Sequence, residues 1–157
     1  MSDRFKAQPL LLLSLIALGT VTLASDAATD STTANNLPSI TPFTTDGCSS
    51  FPDGTWAEQQ LWLDCCIQHD FAYWQGGSYR ERTAADRELE ACVAELGETE
   101  ISLLMFLGVR VGGTPFIPTN FRWGYGWPEW RGYQALTEEE KAAIDHAVAA
   151  LPTELKA

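Results

Sequence analysis

The stretch "DCCIQHDFAYW" (residues 64–74) sets two adjacent cysteines, Cys65 and Cys66, just ahead of a His-Asp pair, with Tyr73 four residues beyond the histidine. It lies within "TWAEQQLWLDCCIQHDFAYWQGG". There Thr55 and Glu58 have capping-box spacing and Gly76 and Gly77 mark a stop, so the pattern predicts a helix over 56–75. At 100° per residue, Trp62, Cys65, Cys66 and Tyr73 all fall within about 60° of His69. His69 thus faces the side that the cysteines tie to the rest of the protein. Asp70, about 100° round, sits at the edge of that face.

A second helix is predicted over "TAADRELEACVAELG" (residues 83–97), with Thr83 at the cap and Gly97 at the stop. Its apolar face is Ala85, Leu89, Cys92, Val93 and Leu96, while Arg87, Glu88 and Glu95 point away. Asp86 lies on the margin, where its bland role is to cap the helix three residues after Thr83. The short "SYRER" link favours an antiparallel hairpin. If Cys92 is bonded to Cys65, His69 lies about 6 Å and Tyr73 about 12 Å along one axis, and Asp86 about 9 Å along the other. Asp86 then falls between them, and a bond to Cys66 instead shifts the levels by only about 1.5 Å. A carboxylate oriented by a tyrosine and touching a histidine sets the tautomer and basicity of the imidazole. Beside it, Asp70 is placed to hold a hard cation that polarises a carbonyl. Ca²⁺ takes 6 to 8 oxygens. The turn-rich "DGCSSFPDG" (residues 46–54) can offer carbonyls if Cys48 ties it to the same helix; otherwise it is an ordinary turn before that helix.

The chain has 157 residues, 45% of them hydrophobic, which suits one domain with a modest core. Arg4 and Lys6 precede an apolar run over 10–23 and then the small residues Ala24 and Ser25. This reads as a signal peptide over 1–24, cleaved near Ala24, because the run is shorter than the roughly 20 residues of a spanning helix. No cysteine follows it, which argues against a lipid-modified N-terminus. Residues 25–39 are small and polar and read as a flexible leader, with a single folded domain over 40–157. A secreted or periplasmic destination is oxidising, so the four cysteines are expected to pair rather than bind zinc. Paired C-x-x-C spacings are absent, and only His69 and His146 could add nitrogen ligands. Cys65 and Cys66 could close on each other only through a strained ring, so each is expected to take one of Cys48 and Cys92. The formal net charge is −11, and −12 once residues 1–24, with a net +1, are removed. That charge excludes nucleic acid as a partner, opposes strongly anionic membranes and suits divalent cations.

These residues carry a family resemblance. "CCIQHDFAY" resembles the Cys-Cys-x-x-His-Asp-x-x-Tyr active-site helix of secreted phospholipases A2. "ADRELEAC" resembles their second helix, in which a catalytic Asp precedes a cysteine by six residues, and "DGCSS" is similar to the atypical group XII branch. The match covers residues 46–96, about a third of the chain. It implies a mostly α fold built on a disulfide-linked antiparallel helix pair, with Cys48 bonded to Cys66 and Cys65 to Cys92; the aromatic-rich extension and C-terminal helix that complete the expected architecture are read from the residues outside the match. It implies that His69 takes a proton from water, which attacks the sn-2 ester of a glycerophospholipid at a membrane surface or micelle. Asp86 and Tyr73 would orient His69. Ca²⁺ would sit on Asp70 and on the carbonyls of Gly47, Ser49 and Phe51, with the Ser49 N–H at the oxyanion. The sequence departs from the family in two places. Ala72 stands where many members have a cysteine, and Ser49, Ser50, Phe51 and Pro52 replace the Gly-rich calcium loop. Two alternatives are a non-catalytic lipid- or protein-binding module on this scaffold, and a structural domain in which His69, Asp86 and Tyr73 form only a buried polar network.

Outside the match, residues 101–113 are expected to form a core helix. Trp123, Tyr125, Trp127 and Trp130 crowd a Gly- and Pro-rich loop; the expectation is core cover for the helical hairpin, with the lipid headgroup zone as the alternative. Thr137 and Glu140 spell a capping box for a last helix. Ile144, Val148 and Leu151 share one of its faces, and His146 lies on another side.

Overall fold

Gly76, Gly77 and Ser78 are the only residues between α1 (Leu63–Gln75) and α2 (Tyr79–Glu95), so the chain turns straight back on itself. The computed structural model describes residues 37–128 and 131–152. The expected signal peptide, most of the leader and Trp130 lie outside the described residues. α3 (Thr99–Gly112) follows α2 after another three residues, and α4 (Glu138–Ala149) closes the order. The described residues contain no strand. The protein is mostly helical with two disulfides, Cys48–Cys66 and Cys65–Cys92, the pairing that the resemblance implies. Cys65 near the start of α1 is tied to Cys92 near the end of α2, which makes the pair antiparallel.

Two helix starts differ from expectation. α1 begins at Leu63 rather than Trp56, because residues 56–60 are exposed and have no apolar face to bury. The Thr55 and Glu58 pair instead closes a turn, with the Glu58 N–H on Thr55 Oγ1 (3.0 Å) and the Thr55 N–H on the Glu58 carbonyl (2.8 Å). Buried Trp62 then fixes the helix start: its backbone N–H donates to the Asp53 carbonyl (3.0 Å) and its indole to the Pro52 carbonyl (2.6 Å). α2 begins one turn ahead of Thr83. Ser78 is its N-cap in a complete capping box with Glu81, and the Thr83 hydroxyl donates back to the Tyr79 carbonyl from inside the helix. Asp86 is therefore mid-helix, which removes the bland alternative that it caps the helix.

The aromatic loop is core. Trp123, Tyr125 and Trp127 are buried against Trp74 and Phe43 and meet α4 through Ala143 and Ile144. Their loop also satisfies the carbonyls that the end of α1 leaves open. The N–H groups of Gly124 and Gly126 donate to the Tyr73 and Trp74 carbonyls (2.7 and 3.1 Å). The Trp127 and Trp123 indoles donate to Gln75 and Gly77 (2.6 and 2.9 Å). This needs backbone against backbone: Gly76 has φ +69°, and a Cβ there would lie 2.8 Å from the Gly124 Cα. On the N-terminal side, Leu37 already packs on this cluster, ahead of the boundary expected at Ile40. α4 starts from the expected Thr137–Glu140 capping box, and His146 is exposed as expected.

α3 is less buried than its composition implies. Ser102 and Met105 face inward, but Leu103, Leu104, Leu107 and Val111 are exposed, so the expected core helix is amphipathic in packing though not in sequence. No helix of the described residues is long and apolar enough to cross a membrane.

At its end, Gly113 lies against Tyr73. A Cβ at Gly113 would fall 2.4 Å from a ring carbon and 2.6 Å from the hydroxyl of a side chain that is itself fully packed. Gly113→Ala is expected to lower stability by about 1–3 kcal/mol, read as a lower urea midpoint. An unchanged midpoint would show that Tyr73 has room to move.

Candidate active site

His69, one turn after Cys65 on α1, and Asp86, two turns before Cys92 on α2, meet across the helix pair. His69 Nε2 lies 3.0 Å from Asp86 Oδ1, and the Tyr73 hydroxyl donates to the same oxygen at 2.6 Å. All three side chains are buried, Asp86 completely. The structure thus brings His69 together with the two residues, Asp86 and Tyr73, expected to orient it.

Asp86 has more partners than the sequence reading supplied. Arg110, from the last turn of α3, donates through Nη1 to Asp86 Oδ2 (2.6 Å). Arg82, one turn before Asp86 on α2, holds Nε 3.8 Å from the same oxygen and donates it to the Tyr73 hydroxyl at 3.0 Å. Its other nitrogens reach the Tyr133 hydroxyl and the carbonyls of Val109 and Arg110 (2.8 and 2.9 Å). Because Arg82 donates to the Tyr73 oxygen, the tyrosine's own hydrogen is left to point at Asp86. Burial pushes the Asp86 carboxyl pKa up, but the hydrogen bonds from His69, Tyr73 and Arg110 outweigh it and hold the group below the usual carboxylate range. An ionised Asp86 accepts from Nε2–H, so the neutral ring keeps its lone pair on Nδ1. Nδ1 has no partner among the described residues and is open to solvent. Beside the ring lies a cleft of about 40 Å³, lined by Cys65, Gln68, Ala72 and Ala85 among others, with room for water. The arrangement can hold a neutral imidazole in one tautomer and accept a proton at its exposed nitrogen.

Asp70 is buried on the neighbouring face of α1. Its Oδ2 accepts from the Thr45 hydroxyl (2.7 Å), its one hydrogen bond among the described residues, and Oδ1 is open to solvent. Burial, with the nearby Asp46 charge adding to it against the Thr45 bond, pushes its pKa up to about 7. Thr45 Oγ1 also accepts from the Gly47 N–H (3.0 Å), which ties the 46–54 turn to Asp70, as the Cys48–Cys66 bond ties it to α1. The expected carbonyl ligands divide. Those of Ser49 and Phe51 accept no hydrogen bond among the described residues, whereas the Gly47 carbonyl takes the Ser49 N–H at 3.1 Å. The N–H expected at an oxyanion is therefore engaged within the loop. No three His, Cys, Asp or Glu side chains of the described residues gather as a metal-ligating group. A cation at Asp70 would depend on main-chain and hydroxyl oxygens, a donor set that fits a hard ion such as Ca²⁺.

Comparison with protein-family models, with curated proteins and with solved structures returned no match.

Because folded Asp70 holds its proton to about pH 7 while an unfolded aspartate releases it near 4, the folded state binds more protons between those values. Stability contributed by this group therefore falls as pH rises from about 4 to 7, then levels off. In cation-free buffer, Asp70→Asn is expected to remove that slope and raise stability at pH 8 by about 2–4 kcal/mol, measured by chemical denaturation across the range. An unaltered slope would show that Asp70 is not a strained charge.

Proposed function

We propose that this protein is a calcium-dependent hydrolase of the phospholipase A2 type. Its substrate in this reading is the sn-2 acyl ester of a glycerophospholipid presented on a membrane surface or micelle. The observation that carries the reading is the set His69–Asp86–Tyr73: an imidazole held in one tautomer by a buried ionised carboxylate, with a cleft that admits water beside the ring. The sequence resemblance supports it, as do two disulfides in the pairing that the resemblance implies.

In this reading His69 Nδ1 removes a proton from a water molecule as the oxygen attacks the ester carbonyl, and later returns that proton to the leaving alkoxide. Asp86 steadies the imidazolium formed in between without taking its proton, as buried carboxylates paired to catalytic histidines do. Tyr73 holds the carboxylate oxygen facing the ring. Asp70, Thr45 and the Ser49 and Phe51 carbonyls are the residues that would hold Ca²⁺. When bound, the ion supplies Lewis-acid polarisation of the carbonyl and a counter-charge for the phosphate.

One observation favours a second reading, a non-catalytic lipid- or protein-binding module: the Ser49 N–H is turned onto Gly47 rather than left for an oxyanion. Calorimetry with Ca²⁺ alongside a liposome hydrolysis assay separates the two, since a binding module takes up the ion or the lipid without releasing fatty acid.

For the hydrolase, release of fatty acid from zwitterionic liposomes in Ca²⁺ is expected to stop on adding EDTA. It should also fall by about 10²–10⁴-fold in His69→Ala. Hydrolysis that survives either change would exclude the mechanism.

A further inference from the structure

We infer that Arg110 is a positioning residue of the candidate active site: from the end of α3 it fixes which oxygen of Asp86 faces His69. The inference rests on the proposed hydrolase reading, and adds to it a helix outside the stretch that resembles any phospholipase.

A carboxylate is two-fold symmetric about its terminal torsion, and that torsion is soft. In Asp86 the two oxygens are divided by their donors. Oδ1 receives His69 and Tyr73, both from α1, and Oδ2 receives Arg110 Nη1 at 2.6 Å. The Arg82 guanidinium stands off Oδ2 at 3.8 Å, and its short contacts go to Tyr73, Tyr133 and the two α3 carbonyls. Arg110 is therefore the one close donor on the Oδ2 side among the described residues. Without it the carboxylate is anchored on one oxygen only and can tilt away from His69 Nε2.

Arg110 is itself held on both flanks. Its Nη2 donates to the Tyr79 hydroxyl at 2.8 Å, its guanidinium lies 5.2 Å from that ring's centroid, and its own carbonyl accepts from Arg82 at 2.9 Å. A planar guanidinium with two directed bonds fixes a carboxylate more tightly than an ammonium does. Position separates the two arginines. Arg82 is buried at the junction of three helices, whereas the Arg110 side chain is 20% exposed at the rim and can be changed without emptying the core.

Arg110→Gln and Arg110→Lys test this in the full protein. The chain has two histidines, so ¹⁵N imidazole spectra resolve His69 once His146→Gln has identified the other. His69 is expected in the Nε2–H form with a slowly exchanging proton. In Arg110→Gln that proton should exchange faster and the ring populate both tautomers, and Arg110→Lys should restore part of the original signal. With liposomes, Arg110→Gln is expected to lower kcat by about 10- to 100-fold while KM stays within about two-fold, because the effect is on the geometry of the base. Should Arg110→Gln fail to fold, the Lys variant carries the test, with an intermediate tautomer shift expected. A folded variant that keeps the original spectrum and kcat would overturn the inference. If the unaltered protein hydrolyses no phospholipid, the hydrolase reading fails, and the spectra still decide whether Arg110 positions Asp86.

Discussion

The carboxylate of Asp86 is completely buried, and a buried charge is tolerated only when its partners surround it. Three helices supply them: His69 and Tyr73 from α1, Arg82 from α2 and Arg110 from α3. Removing one partner of such a group leaves the charge underpaired, at a typical penalty of about 3–5 kcal/mol. A packing error that misplaced any of the three helices would incur a similar loss. The same contacts that define the candidate site therefore also specify how the helices dock, and α3 is bound into the site although it exposes much of its apolar surface.

The geometry further requires that α1 be held at both ends. At its start, Cys65 and Cys66 bond to different parts of the chain, one to α2 and one to the turn that carries Gly47 and Ser49. Two neighbouring residues on a helix differ by about 100° in direction, so the pair can join two different structures at one level of the axis. At its end, the loop through Trp123 and Trp127 takes up the Tyr73, Trp74 and Gln75 carbonyls. Tyr73 is thus clamped from behind by its backbone and in front by Asp86 and Gly113, which leaves its hydroxyl little freedom.

Much of this could be read in the sequence because the chemistry follows helical spacing. Cys65, His69 and Tyr73 repeat every four residues, and Asp86 precedes Cys92 by six, so one crosslink sets all the levels. The arginines escaped that reading. Arg82 looks like a surface residue in "YRERTAADRE", and its only local signal is the i, i+4 relation to Asp86. Arg110 had a clearer one: it is the lone charge in "ISLLMFLGVRVGG", and a single cation in an apolar run needs a partner inside. The helix starts were misplaced because the rule was satisfied twice. Thr83 and Asp86 mimic a cap but Ser78 and Glu81 form it, and Thr55 and Glu58 form a turn whose following residues have nothing to bury. The exposure of Leu103, Leu104 and Leu107 could not be read, since composition does not say how many faces of a helix find a neighbour.

The two aspartates beside His69 show how position alone divides their chemistry. Both are buried and both lie within a helical turn or a helix-to-helix contact of the same ring. Asp86 has three donors and a further cation, Arg82, nearby, and is held below the usual carboxylate range, while Asp70 has one hydroxyl and a neighbouring acid and is pushed up to about 7. Environments that drive like groups apart in this way mark a division of roles. The one held ionised orients an imidazole, and its charge is already met by two guanidinium groups. The other is short of positive charge and open on one oxygen, the condition under which a carboxylate binds a metal ion or keeps a proton. Under the proposed reading these are the two tasks that the site requires, and exchanging the residues' surroundings would abolish both, even with every functional side chain still present.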